Sequence, residues 1–357
     1  MKHKPLLQGV LLCVGFLVLL FAISFSSGCT NTPAATTAPA TSSPVPTPAP
    51  TAVPTPTPVP TPPNGFIIPK ADVRPIAVMV DNQGSRPLPQ GGLKKAQIVY
   101  ECLAEGGITR LMPVFWGTTP SMVGPVRSSR HYFAEFAYEH DAIYVHIGWS
   151  PQARAIINSL GIADVNGLYD KAFWKLTNDR SNWQDKYTSY DKIIAIANSK
   201  NFDLKTKEPR SFLYSQIIRP LTGKGLKKAK VVGIRYNSQA DNRYVYNPKT
   251  KLYMRYRNGA KHMDRASGKQ LSTGNIVVQF VSNYGIIGDY KNRQELQNIG
   301  SGKGWYITCG KAVEIRWKKT SASAKTRYTR LSGKPLVLNP AQTWIQVVPP
   351  SVPIVMK

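Results

Sequence analysis

The sequence predicts a mixed α/β N-terminal domain followed by a mainly antiparallel β domain, and three observations predict it. Between about residues 74 and 199, short apolar runs closed by turn residues alternate with helix patterns. After LTGKGLKK (221–228) the texture changes to segments that alternate apolar and polar side chains between Gly, Asn and Pro. Residues 30–64 cannot build a core, since they hold no charge and almost no large apolar side chain. The expected divisions are a leader over 1–28, a stalk over 29–64, the α/β domain over 65–220 and the β-rich domain over 221–357.

MKHKP followed by LLQGVLLCVGFLVLLFAISFSSGC joins a short positive region to an apolar run ending in small residues. That is the form of a secretory signal peptide. Ser27-Gly28-Cys29 has the small–small–Cys ending of a bacterial lipoprotein cleavage site, with Ser26 where an aliphatic residue is usual. Cys29 is the expected site of lipidation, carrying an acyl anchor of the palmitate class. The competing reading is a retained transmembrane anchor, because the apolar run is nearly long enough to span. Both place the remainder outside the cytoplasm, tethered to the cell membrane. The proline-rich stalk favours extended polyproline II, which at about 3.1 Å per residue reaches up to roughly 100 Å.

RPIAVMVDN (74–82), QIVYECL (97–103) and TRLMPVFWG (109–117) read as buried strands. RSSRHYFAEFAYEHD (127–141) reads as a helix with Phe133, Phe136, Ala137 and His140 on one face and Glu135 and Glu139 on the other. The glycine and proline of GPVRSSRHY are expected to bend the chain into that helix. AIYVHIG (142–148) returns as a strand. Ser150-Pro151 then offers an N-cap and a first-turn proline for QARAIINSLG. DRSNWQDKYTS (179–189) is expected to be a loop, with a helix from about Asp191. In the second half, KVVGIRY, RYVYN, KLYMRYR, NIVVQFVSNYG, GWYITCG, AVEIRWKK, TRYTRL and TWIQVV read as strands, with hairpin corners at NPKTK (247–251) and RNGAK (257–261).

The formal net charge is +27, and loss of Lys2 and Lys4 with the leader lowers it by 2, to +25. Such an excess attracts polyanions. Outside a bacterium these are lipid headgroups or anionic wall polymers. Tyr and Arg interleave in YMRYRNGAKH, as in nucleic-acid binders, but the leader argues against nucleic acid as a partner. Cys102 and Cys309 form no disulfide framework and are expected as buried thiols, with a bridge between them as the alternative.

Polar residues after predicted strands are the candidate site, because ligands of alternating α/β folds gather at strand carboxyl ends. Arg110, Arg127 and Arg130, with Trp149, would make an anion-binding wall, since guanidinium groups match planar and tetrahedral oxyanions. The alternative is an internal lattice in which Asp81 or Glu105 satisfies those arginines. Trp116, Trp149, Trp174 and Trp183 fall around the same loops and would stack on sugar rings or else fill core, while Trp305, Trp317 and Trp344 read as core. His140 reads as structural. An enzymatic alternative uses Asp81 or Glu105 with His146 to cleave or transfer wall glycan. No HExxH or close Cys/His spacing occurs, so no metal and no cofactor is assigned.

RPIAVMVDN, IVYECLAEGGITRLMPVF, GPVRSSRHYF, DAIYVHIGWSPQA and KYTS resemble the N-terminal part of the YerB-like lipoproteins, a family of unknown function. GSGKGWYITCGKAVEIRWKK and LNPAQTWIQVVP resemble its C-terminal part. The resemblance covers almost everything after the stalk. It implies a membrane-anchored envelope protein, mostly of Gram-positive bacteria, with a three-layer α/β arrangement, and it carries over no catalytic residue. This chain has RSNWQDKYTS where the family pattern implies a basic, histidine-containing run, so no ligand role for that histidine transfers. The leading expectation is a non-enzymatic protein that binds an anionic wall component or a protein partner through the N-terminal cleft. The wall-modifying enzyme, and a scaffold whose β half docks a membrane protein, are the other two.

Overall fold

Short buried strands of the first half and longer, partly exposed strands of the second build one large sheet. The computed structural model describes residues 65–70, 72–206, 208 and 210–357. The expected signal peptide, Cys29 and the stalk lie outside the described residues. The first half supplies β1 (Ile76–Val78), β2 (Val80–Asp81), β3 (Ile98–Leu103), β4 (Thr109–Phe115), α1 (His131–Tyr138), β5 (Ile143–His146), α2 (Pro151–Ser159), β6 (Asp164–Asn166) and α3 (Tyr190–Ser199). The second half supplies β7 (Val231–Asn237), β8 (Ala240–Asn247), β9 (Leu252–Arg257), β10 (Asn275–Phe280), β11 (Gly300–Thr308), β12 (Lys311–Lys319), β13 (Thr343–Val348) and β14 (Ile354–Met356). Among the described residues no helix is long and apolar enough to cross a membrane.

The large sheet runs β12-β11-β10-β13-β3-β4-β1-β5-β6, and a second sheet runs β9-β8-β7-β14. The second half is mostly antiparallel, as its alternating texture predicts, with two departures, of which the short strand Val337–Leu338, parallel to Leu213–Tyr214, is the smaller. TWIQVV, as β13, lies parallel to β10 on one side and to β3 on the other. All six of its residues are buried, which is the signature of a central strand covered on both faces. The sheet therefore passes from the first half to the second without a break, and the described residues fall in one compact unit.

Period-two alternation divides each strand between two cores. Ala77, Met79, Tyr100 and Met112 pack with Phe133 and Phe136 of α1 and Ile157 of α2. Ile76, Val78, Val99 and Leu111 pack with Ile193 and Ala197 of α3 and with Val232, Tyr244 and Tyr253 of the second sheet.

Two local predictions hold in detail. The corners NPKTK and RNGAK join β8 to β9, and β9 to the short strand Ala260–Lys261. Ser150 caps α2, its buried hydroxyl accepting from Ala153 N at 3.1 Å, with Pro151 in the first turn. Ser150→Ala is expected to cost about 1 kcal/mol, read as a lowered urea midpoint with an unchanged slope.

Other expectations are corrected. The helix begins at His131, and Arg127 to Arg130 are extended, because their backbone is claimed by neighbouring strands as described below. Glu135 and Glu139 do not face solvent; they are 4% and 2% exposed. Residues from the second half cover that side of α1. Glu139 accepts from Tyr100 Oη (2.9 Å), Thr326 N (2.9 Å) and Thr326 Oγ1 (2.8 Å), with Lys319 Nζ at 3.3 Å. His140 is structural as expected: it meets Tyr100 Oη at 2.8 Å, and burial pulls its pKa down to about 4. Cys102 is buried and Cys309, on the β11–β12 turn, is only half-buried; both are free thiols. Trp344 and Trp317 are core, whereas Trp305 is partly exposed beneath Lys227.

Candidate functional site

β1 lies parallel to β5, and β3, β13 and β10 run in the same sense through the antiparallel β4. Their carboxyl ends therefore share one edge of the sheet. Asp81, Leu103 and His146 end β2, β3 and β5 there. Residues 126–130, from GPVRSSRHY, thread between the ends of β1 and β5. Arg127 N donates to Met79 O (2.9 Å), Ile147 N to Arg127 O (3.0 Å), Ser129 N to Gly148 O (2.9 Å) and Ser150 N to Ser129 O (3.2 Å). This strap delivers Arg127 and Arg130 to the edge, and between them Ser129 bridges to the backbone of Trp149.

The structure brings Arg110 and Arg130 together on one carboxylate. Arg110 Nη2 meets Glu105 Oε1 at 2.6 Å; Arg130 Nη2 and Nε meet Oε2 at 2.6 and 2.9 Å. Their remaining donors go to strap carbonyls, Arg110 Nη1 to Ser128 O (2.9 Å) and Arg130 Nη1 to Ser129 O (2.6 Å). Both arginines are buried. Arg127 belongs to a second pair: its Nε lies 3.1 Å from Asp81 Oδ2, which also accepts from Gln184 Nε2 at 3.0 Å. Its guanidinium sits 4.1 Å from the ring of the half-exposed Trp183. Burial lowers the Arg127 pKa to about 10 against the pull of Asp81. Burial works to raise the Glu105 carboxyl, yet Arg110 and Arg130 hold it at about 2. Glu105 is thus a fixed anion at neutral pH, with no proton to donate.

His146 is fully buried. Nδ1 meets Gly148 O at 2.9 Å, and Nε2 lies 3.3 Å from Asp164 Oδ2 without hydrogen-bond geometry. Asp81, Glu105 and His146 each have their own partners, and no hydrogen bond among the described residues links the three.

Trp149 is the candidate side chain that lines open space. It is half-buried, with His146, Tyr169 and Arg154 around its ring at 5.8, 6.0 and 5.6 Å. The adjoining cavity, about 590 Å³, is bounded by Trp149, Pro151, Arg154, Asn158 and Arg293. Arg293 comes from the 283–296 hairpin, where Asp289 holds it at 2.6 Å. The same hairpin caps the arginine cluster, since Gly106 N donates to Asn292 O at 3.2 Å.

Beneath the edge lies a polar network that sequence reasoning missed. Glu101 and Arg255 are wholly buried and paired at 2.8 Å. Glu101 also accepts from Thr109 (2.9 Å), Gln346 (3.0 Å) and Asn82 (3.3 Å). Arg255 donates to Asn242 (2.8 Å), His262 (3.0 Å) and Tyr244, and lies 4.0 Å from the Trp344 ring centre. His262 in turn meets Gln90 at 2.7 Å. Burial opposes ionisation of Glu101, but Arg255 and the amides carry its pKa below the usual range. The Tyr/Arg interleaving of YMRYRNGAKH is therefore partly interior: Tyr253, Arg255 and Arg257 occupy the core-facing alternate positions of β9. That period of two was the available signal.

Residues 66–203 match the family described as "Protein of unknown function (DUF3048) N-terminal domain", and residues 232–345 match its C-terminal domain. The Bacillus subtilis (strain 168) protein named "Putative lipoprotein YerB" is 35% identical over 288 residues, covering 77% of this chain and 81% of its own. The crystal structure of YerB protein from Bacillus subtilis superposes with a TM-score of 0.69 at 33% identity, over 80% of this chain and 94% of that one.

Proposed function

Because the chain belongs to the DUF3048 family, with a relative named for a lipoprotein, we propose that it is a lipid-anchored envelope protein that binds an anionic wall polymer at the Trp149 cleft. Cys29 carries the anchor in this reading, and the body stands outside the cytoplasmic membrane. One observation carries the site: Arg154, exposed above the Trp149 ring, has no ion pair among the described residues, unlike Arg110, Arg127 and Arg130. An indole face beside a free guanidinium suits a sugar ring bearing phosphate or carboxylate.

Arg110, Arg127 and Arg130 stand at the same edge of the sheet, each paired with a carboxylate. Three guanidinium groups face the two carboxylates of Asp81 and Glu105, which leaves the edge positive. The net charge of +25 that remains once Lys2 and Lys4 leave with the leader (27 − 2) adds long-range attraction. The fixed charge of Glu105 favours binding over acid–base chemistry on this edge.

Titrating the full chain with poly(glycerol phosphate) tests the reading. Arg154→Ala and Trp149→Ala are each expected to weaken binding about tenfold, the scale of one charge-assisted contact. Arg235→Ala, on the exposed side of β7, is expected to leave it unchanged. Raising salt from about 50 to 200 mM should weaken the wild type as well. Equal affinity for the wild type and both cleft variants would sink the assignment.

A further inference from the structure

β10 and β11 pair from Asn275↔Thr308 to Gln279↔Gly304 and then part. β10 continues beside β13 through Phe280↔Val348, while β11 continues beside β12 as far as Gly300↔Lys319. Residues 300–303 therefore have a strand partner on one side only. The Trp317 indole lines the floor of the opening. Its Nε1 donates to Phe280 O at 3.0 Å, and a Cβ on Gly302 would stand 2.6 Å from that nitrogen. Glycine at 302 is what lets the strand lie over the ring.

The parting leaves a cavity of about 860 Å³, larger than the Trp149 cleft. The free edge of β11 forms one side and Phe280, Leu296 and Trp317 give it apolar surface. Glu135 from α1 and Glu295 from the hairpin supply two carboxyls. Against 46 Lys and Arg the chain has 19 Asp and Glu, so two acids in one cavity run counter to the surface around them. Glu135 Oε2 accepts from Asn298 Nδ2 at 2.7 Å, and burial raises its pKa, a cost that a bound cation offsets. Glu295 Oε1 lies 3.1 Å from His131 Nε2. The hairpin divides the two cavities, with Arg293 in one and Glu295 in the other.

We propose that this slot binds a short extended peptide carrying a primary amine, whose backbone pairs with residues 300–303 and whose ammonium lies against Glu135 and Glu295. A strand edge offers unpaired N–H and C=O groups that only another extended backbone satisfies in series. Gly300 has open space where a side chain would stand, which leaves that edge open to close approach. Two carboxyls select a cation and repel the polyanion assigned to the neighbouring cleft. Lys303, exposed at the rim, complements a carboxylate on the same peptide.

The test uses the full chain and the acetylated peptide Ala-Ala-Lys-Ala-Ala, followed by calorimetry. The peptide is expected to bind, its norleucine counterpart about tenfold more weakly, and a form N-methylated at alternate amides not at all. Glu295→Gln, at a partly exposed position, is expected to lower affinity about tenfold with an unchanged urea midpoint. Equal binding of the lysine and norleucine peptides, full binding of the methylated form, or no binding of any peptide each overturns the proposal. Glu295→Gln should leave poly(glycerol phosphate) affinity unchanged and Trp149→Ala should leave peptide affinity unchanged, so the two sites fail independently.

Discussion

Glu101→Gln is expected to remove about 3–5 kcal/mol of folding stability, measured by urea unfolding at neutral pH. The substitution is nearly isosteric, so the loss is electrostatic. It leaves the Arg255 guanidinium, wholly buried, without the one carboxylate that balances it. The partners that remain, Asn242, Tyr244, His262 and the Trp344 face, carry no compensating charge. Water cannot reach Arg255 to replace the lost partner. Removing both charges, as Glu101→Leu with Arg255→Met, is expected to cost less than the single change, because no buried ion is then left alone. A single-variant loss below about 1 kcal/mol, the range of exposed ion pairs, would show that the interior is wetter than its burial implies.

Acid should weaken the fold through Glu105. The Glu105 pKa falls from 4.5 to about 2 in the folded chain. The folded state therefore binds fewer protons than the unfolded state across that interval, and stability drops as pH falls. The contribution is complete above about pH 5 and is lost progressively down to about pH 2, amounting to roughly 3 kcal/mol. Glu101, also depressed, adds to the same limb. Glu105→Gln is expected to be less stable than wild type at pH 7 by a similar amount and to show a flatter acid limb. Parallel curves for the two proteins between pH 5 and 2 would mean that Arg110 and Arg130 do not hold that carboxylate as the geometry indicates.

Short-range chemistry is legible in the residues themselves. TRLMPVFWG and TWIQVV mark β4 and β13 almost to the residue, because an apolar run bounded by turn residues has few ways to bury itself. Ser150 and Pro151 announce α2 for a reason confined to one helical turn. At the candidate site, the strand-end positions of Asp81, Glu105, Arg110 and His146 are legible too. Their partners are not. Nothing local distinguishes an arginine that seizes Glu105 from one that stands over Trp149. Glu135 and Glu139 follow the helical period of a solvated face, yet the second half of the chain covers it.

By itself the sequence determined the family, the order and type of most elements, the change from α/β to β texture, and the cationic character of the chain. The tertiary structure alone decided that β13 enters the sheet between β10 and β3, which arginines are consumed internally, and where cavities remain. The reason is range. Hydrophobic period, capping and turn geometry act within about ten residues and leave their mark in adjacent letters. Charge pairing acts through space, and Glu101 with Arg255, or Glu139 with Lys319, meet across 154 and 180 residues of chain. Strand order and register set those meetings, and a shift of one residue in register would turn Arg255 out to solvent.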